Sequence, residues 1–426
     1  MRLNVYIEIE GSRRFVGMIC GEDQTDASFS YDGSYMQEEG SMPISVSLPF
    51  QEEAFSPACT RTFFEGLLPE GFTRRSVAAW MHVDEEDYLS ILAGLGKECL
   101  GALQILNAED PGSTEAEYRP LSMRQVGKLA EEGSTRSAEI VVASHLSLTG
   151  ASGKVGLYYD APSDAWYQPI GTAASTHIVK QSHVRLRNIV ENEQLSLRTA
   201  YYLGLPVVDS FIINTGGFQD SGVLLASRRY DRSVAPSVRT LNGLPCPLRL
   251  HQEDMAQALG IPSTRKYEPE DGTYLRKIFR LLRNVSSDPL QDQLHLLDLL
   301  IFDVLIGNTD NHIKNLSLLY SPDLHTIRLA PAYDLICTLI YRESTSEMAL
   351  AVGGQKEWGK ISRQSFLDSA GEMGLGKPLI RREYERLWKN FPRALQKAAE
   401  ELKQQGFSDS EEMQRCILRA VNRADG

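Results

Sequence analysis

Residues 306–315, IGNTDNHIKN, place Asp310, His312, Lys314 and Asn315 close together between an apolar helical run and a short apolar strand-like run. Asp310 and Asn315 form D-x-x-x-x-N. On a loop, that spacing lets a carboxylate take the proton of an acceptor hydroxyl while an amide oxygen, one turn on, holds Mg²⁺. Mg²⁺ wants hard oxygen ligands and needs only one or two from the protein when phosphate oxygens supply others. Lys314 can offset charge on a transferring phosphoryl group. A second carboxylate to bridge metal and phosphates stands in APAYDLI, as Asp334. The same residues also suit an ordinary capped turn, so the spacing alone leaves both readings open.

The chain upstream bears on that choice. SLTGASGKVGLYY (147–159) reads as strand, Gly-rich turn, strand, and its backbone N–H groups can cradle phosphates with Lys154 in reach. It is not a Walker A loop, because position 148 is Leu and Lys154 is followed by Val. THIVKQ ends a strand with Lys180, and the helix after it offers Glu191 or Glu193 as a partner for that lysine. The order runs Gly-rich turn, strand lysine, helix glutamate, D-x-x-x-x-N, hairpin-like LSLLYSPDLHTIRLA, and then Asp334. Protein kinases and aminoglycoside phosphotransferases share that order.

The elements that must position these residues follow from periodicity. Leu3, Val5, Ile7 and Ile9 alternate along one strand, EGSRR turns, and FVGMICGE returns, predicting a hairpin. Short helices are expected over 62–81 and in DEEDYLSILAGLG, with CLGALQIL as a strand. Residues 1–106 therefore read as a small α+β module, and 107–137, opening with NAEDPGSTEAEY, as a linker. EIVVASHLSLTG, KVGLYYD, AWYQPI and THIVKQ predict an antiparallel sheet, followed by a helix over 188–203 and two more strand-like runs. Helical periodicity dominates after residue 250, over 251–260, 273–284, 289–306 and from 364 onward. The expected fold is α+β and bilobal: a β-rich nucleotide lobe over 138–248 and a mostly helical catalytic lobe over 249–426.

Composition narrows the class. The chain has 426 residues, 42% hydrophobic and 23% charged, with formal net charge −12. It contains no apolar run of about 18 residues, so no membrane span is expected. Its alternating N-terminus lacks a signal-peptide core, so a cytoplasmic protein is expected. The acidic balance argues against nucleic-acid binding by the whole surface. Six scattered cysteines show no CxxC pair, predicting reduced and mostly buried thiols. His145, His177 and His251 lack metal spacing, and Trp80, Trp166, Trp358 and Trp388 read as packing residues.

At nearly full length the sequence resembles the HipA-type serine/threonine kinases, toxins of bacterial type II toxin–antitoxin systems. SVSLPF, FFEGLLPEG and GKECLGALQIL look like the family's N-terminal module. LSLTGASGK, THIVK, NEQLSLRTAYYLGLPV, RRYDR, RLHQEDMAQALG, GNTDNHIKNLSL and LAPAYDLI look like its kinase core, in order. The resemblance implies Asp310 as general base, Asn315 and Asp334 as Mg²⁺ ligands, and Lys180 on the nucleotide phosphates. It implies Thr149, Gly150, Ala151, Ser152, Gly153 and Lys154 as the phosphate loop, with Arg228, Arg229 and Tyr230 at the hinge beside adenine. His312, Lys314 and Tyr333 complete the implied nucleotide set, and Ser147 falls at the regulatory autophosphorylation serine, with Ser152 a competing acceptor. ATP and Mg²⁺ are the implied cofactors. The implied partners are a HipB-like DNA-binding antitoxin, which would carry the DNA contact, and a protein substrate of the aminoacyl-tRNA synthetase class. An alternative of another class is a low-turnover kinase-like subunit acting as co-repressor. A third is small-molecule phosphotransfer.

Overall fold

The computed structural model describes residues 1–109, 115–131, 154–181, 186–216, 222–234, 239–270, 272–407 and 409–424. The chain divides into two compact units. The first comprises Met1–His183, Ile213–Ser263 and Leu318–Ile327, and the second Val184–Ile212, Thr264–Ser317 and Arg328–Gly426.

The first unit opens with a four-stranded antiparallel sheet. β1 (Arg2–Ile9), β2 (Ser12–Cys20), β3 (Ser28–Tyr31) and β4 (Leu103–Asn107) lie in the order β3-β2-β1-β4. Leu3, Val5 and Ile7 alternate inward and are fully buried. The hairpin closes through Glu10 and Gly11, both at positive φ, which matches the right-handed twist of the strands. The helix Pro57–Glu65 starts where the Ser56 hydroxyl accepts the Cys59 N–H, and packs Phe64 against Phe29 at 5.3 Å between ring centroids. The helix Tyr88–Leu95 starts at Asp87, whose carboxylate accepts the Ser90 N–H, so the acidic DEEDY run ends in a cap.

A second, six-stranded sheet contains β5 (Ala116–Leu121), β6 (Lys154–Asp160), β7 (Ala165–Gly171), β8 (His177–Gln181), β9 (Ser210–Asn214) and β10 (Val223–Arg228), in the order β5-β7-β6-β8-β10-β9. β5 and the helix Met123–Glu131 lie inside 107–137, so that segment is not the linker the composition predicts. Its polar flank hides one anchoring side chain. Tyr118 is buried, donates to the Ala174 carbonyl at 2.8 Å and lies 4.2 Å from the Tyr158 ring. The expected strand over 139–150 lies outside the described residues.

The second unit is mostly helical, with Ile189–Tyr202, Tyr274–Val285, Pro289–Ile306, Lys377–Gln404 and Ser410–Ala424 as its main helices. The helix Ile189–Tyr202 belongs to this unit rather than to a lobe ending at 248, because Glu401 accepts from Arg198 at 3.0 Å and from the Tyr202 hydroxyl at 2.6 Å. Conversely, 249–263 stays with the first unit: Leu248–Arg249 pairs with Arg232–Ser233, and Tyr320 packs on His251. The helix expected over 251–260 shrinks to Met255–Ala258, since Asp254 forms a capping box with Gln257 and 252–254 is a strand.

The mixed helix-and-sheet class agrees with the sequence reading. Two smaller expectations do not hold. Of the cysteines only Cys99 and Cys337 are buried, while Cys20, Cys59 and Cys416 are exposed. Trp80 is half exposed on the helix Gly71–Met81, not a packing residue.

Candidate active site

The helix Pro289–Ile306 carries the D-x-x-x-x-N loop at its C-terminal end. Its start combines Pro289 with an Asp288 carboxylate that accepts the Gln291 N–H. Its end is Gly307, left-handed at φ +77°, where a side chain would be strained. One turn earlier, Asp303 is 1% exposed and aims its carboxyl into the loop. It accepts from Asn308 Nδ2 at 2.9 Å and from Asn311 Nδ2. Burial pushes this carboxyl up to about 8 against the pull of those two amides.

Asn308 and Asn311 thus do the work of a loop clamp, and Asp310 is left outside it. Asn308 Oδ1 accepts the Asp310 N–H at 3.2 Å. The Asp310 side chain is exposed and accepts the Tyr267 hydroxyl at 2.7 Å. His312, Lys314 and Asn315 are buried behind it. Asn315 donates its amide N–H to the Asp310 carbonyl at 3.1 Å, which keeps its Oδ1 as an acceptor. The His312 ring meets Tyr267 edge-on at 5.2 Å.

A second segment, 331–338, is stitched to this loop. The Tyr333 hydroxyl donates to the Lys314 carbonyl at 3.0 Å and lies 2.7 Å from Ser317 Oγ. Thr338 Oγ1 donates to the Gly307 carbonyl at 2.9 Å and receives the Thr309 N–H at 2.9 Å. From the helix Ile189–Tyr202, fully buried Asn192 clasps the Cys337 backbone at both ends: Nδ2 to its carbonyl at 2.9 Å, and Oδ1 from its N–H at 3.0 Å. Between these anchors Asp334 sits at φ +58°, a strained conformation for a residue other than glycine. Asp334 and Asn315 offer hard oxygen ligands only, the donor set Mg²⁺ prefers. Among the described residues no group of three or more His, Cys, Asp or Glu side chains is arranged to hold a metal.

In the first unit, Lys154 and Lys180 are directly opposed partners on β6 and β8. Opposed residues share a face, and like charges there repel. The next row on the same face pairs Gly156 with Ile178 and Ile178 with Ser227.

The remaining predicted residues divide between the two units. Lys154, Lys180 and Arg228–Tyr230 lie in the first, and Asp310, His312, Lys314, Asn315, Tyr333 and Asp334 in the second. Ser147 and Thr149, Gly150, Ala151, Ser152 and Gly153 lie outside the described residues. The three residues expected at a hinge, Arg228, Arg229 and Tyr230, part ways. Arg228 is exposed at the end of β10 opposite His177, whose imidazole is pushed down to about 4 by burial and by that guanidinium. The Tyr230 hydroxyl donates to Gln252. The Arg229 side chain is fully buried among Glu98, Asp231 and Ser175, so its contribution to a hinge is its backbone, whose N–H donates to the Thr176 carbonyl at 2.9 Å.

Sequence reasoning missed Asp303, Asn308, Asn311, Asn192 and Tyr267. Two of these had a signal: Asp303 interrupts the apolar run LLIFDVLIG, and Asn192 interrupts a core-facing helix, and a buried polar group demands a partner.

Comparison with known proteins bears on the same residues. A family model described as the HipA-like C-terminal domain matches residues 146–399, and one described as the HipA N-terminal domain matches 7–106. The Sinorhizobium fredii protein Y4mE, whose name includes the word kinase, is 34% identical over 397 residues, 91% of this chain and 90% of that protein. The serine/threonine-protein kinase toxin HipA of Shewanella oneidensis is 25% identical over 385 residues, 88% of this chain and 84% of that protein. A chain of the solved Shewanella oneidensis complex of HipA, HipB and operator DNA superposes with a TM-score of 0.81 at 22% identity, covering 99% of this chain and 96% of that one. At that identity the likeness speaks to the fold.

Proposed function

The chain belongs to the HipA family of kinases, and from that premise we propose that it is an ATP- and Mg²⁺-dependent serine/threonine protein kinase, the toxin of a toxin–antitoxin pair. The observation that carries this reading is the pair of stitched segments, 306–317 and 331–338. They expose one carboxylate, Asp310, while the loop's own turn and cap duties fall to Asn308, Asn311 and Gly307.

In this reading Asp310 takes the proton of the acceptor hydroxyl as its oxygen bonds the γ-phosphorus and ADP leaves. Asn315 and Asp334 hold Mg²⁺, which would neutralise charge on the transferring phosphoryl group. Lys154 and Lys180 bind nucleotide phosphates. Tyr333 and Asn192 fix the backbone that presents Asp334. The protein substrate is of a translation-related class, as an aminoacyl-tRNA synthetase would be. A HipB-like DNA-binding antitoxin is the partner, and phosphate on Ser147 switches the enzyme off by repulsion from the nucleotide phosphates.

Calorimetric titration with ATP, with and without Mg²⁺, tests the site. Asp334→Asn should remove most of the Mg²⁺-dependent part of the affinity, and an unchanged Mg²⁺-dependence would make Asp334 a structural residue. Mass spectrometry after incubation with Mg²⁺-ATP should find phosphate on Ser147. Phosphate found only on Ser152 or elsewhere would end the proposed switch.

A further inference from the structure

Asp310 does not stand open to solvent on all sides: its Oδ1 accepts the Tyr267 hydroxyl at 2.7 Å. That hydroxyl makes the hydrogen bond which an acceptor serine or threonine would have to make. Tyr267 itself is half exposed, yet the backbone on either side of it is pinned. The Lys266 carbonyl accepts the Ile313 N–H at 3.4 Å, and the Arg265 carbonyl accepts the Tyr274 hydroxyl at 2.7 Å. On the other side, Glu268 is 3% exposed. Its N–H donates to the Ala349 carbonyl at 3.0 Å, and its carboxylate accepts the Tyr274 N–H at 2.6 Å and the Ala351 N–H at 2.5 Å. The Lys356 ammonium closes on the Glu268 carbonyl. Tyr267 is therefore a side chain on a fixed post. Its ring rests edge-on against His312 with the Lys266 ammonium 5.5 Å over its centre.

We propose that Tyr267 is a gate on the acceptor subsite: its hydroxyl occupies the acceptor's place on Asp310, and a protein hydroxyl must displace it. Displacement needs only a side-chain rotation, because the flanking backbone is held. Water meets the same barrier without the binding energy a protein substrate brings. The gate thus suppresses hydrolysis of bound ATP, in which a water oxygen would bond the γ-phosphorus, ADP leave, and the water proton pass to Asp310. It also selects for acceptors that dock well enough to push the ring aside. This inference rests on Asp310 being the general base.

The test is acceptor-independent hydrolysis of Mg²⁺-ATP by the full chain, followed as release of labelled inorganic phosphate. Tyr267→Phe removes the hydroxyl and keeps the ring, and Tyr267→Ala removes both. A net hydrogen bond's worth of competition predicts a roughly two- to tenfold rise in hydrolysis for the Phe variant, and at least as large a rise for Ala. An unchanged or lower rate in both overturns the gate, a fall meaning that Tyr267 instead holds Asp310 in place for the reaction. Asp310→Asn is run beside them. If it abolishes phosphate release while the Tyr267 variants match the unsubstituted chain, the gate alone fails. If Asp310→Asn hydrolyses ATP as well as the unsubstituted chain does, the base assignment fails and the gate with it.

Discussion

In the first unit Glu98 lies fully buried against Arg249 at 2.6 Å, Arg232 at 2.8 Å and Arg229 at 3.3 Å, while Asp231 pairs with Arg229 at 2.7 Å and Glu8 with Arg249 at 3.1 Å. In the second unit Asp303 lies as deeply buried, and its partners are the neutral amides of Asn308 and Asn311. Both devices fix a loop: the first ties residues 98–101 to the strand that follows β10, and the second shapes the turn that presents Asp310. They do it with opposite electrostatics. Guanidinium groups hold Glu98 well below the usual carboxylate range, at about 2, in spite of burial, whereas amides cannot offset burial and Asp303 rises to about 8. The loop that carries Asp310 is thereby shaped by a carboxyl whose burial disfavours its charged form.

The comparison breaks most visibly at Glu98. Glu98→Ala leaves three buried guanidinium groups short of their shared counter-charge, and should cost about 3–5 kcal/mol in chemical denaturation. A loss under about 1 kcal/mol would mean that water or rearranged arginines replace the carboxylate.

Asp303→Asn should cost less, about 1–3 kcal/mol, because an amide can accept from only one of the two asparagines and turns a donor toward the other. The same variant should lower phosphoryl transfer roughly 10- to 100-fold by misplacing the loop. Transfer at the unsubstituted rate would show that the clamp does not position Asp310.

The two regions also titrate in opposite senses. Glu98 has a lowered folded-state value, so its stabilisation is present above the ordinary carboxylate range and lost as pH falls toward 2. Asp303 has a raised value, so the folded state keeps a proton that the unfolded chain releases, and stability should fall as pH rises from about 4 to about 8. Denaturation midpoints across that range should show a downward slope that Asp303→Asn shallows. The slope should not vanish, because buried Glu253, pushed up to about 7, acts in the same sense. An equally steep slope in the variant would place the titrating acid elsewhere.

Smaller effects sharpen the boundary of each device. Asn192→Ala removes both hydrogen bonds to Cys337 and should cost about 1–2 kcal/mol, with Mg²⁺-ATP affinity falling further than that of a surface control. Trp80→Ser, on an exposed helix face outside both regions, should stay within about 0.5 kcal/mol of the unsubstituted chain. A larger change in thermal melting would mean that Trp80 is covered in the protein as it exists in solution.

What the sequence disclosed follows the same physics. The helix ending at Ile306, the β1–β2 hairpin and the position of Asp310 and Asn315 on the loop after that helix were legible because local spacing encodes them: caps, alternation and a six-residue motif. The side-chain direction of Arg229 was not, since its partner Glu98 lies far off in the chain and either neighbour in RRYD could have turned inward. Nor were Asn192 on Cys337 or Tyr267 on Asp310, each a contact over a long sequence separation with no periodic signature. Strand β5 was hidden because its one buried anchor, Tyr118, sits in a stretch whose composition is that of a loop.

We propose the 306–317 loop as a reaction centre with Asp310 as its base. Transfer of labelled phosphate from Mg²⁺-ATP to protein, measured side by side for the unsubstituted chain and Asp310→Asn with melting curves to show equal folding, tests it most directly. The expected result is a loss on the order of 10²- to 10⁴-fold in the variant. Transfer by a folded Asp310→Asn chain at near the unsubstituted rate would contradict it.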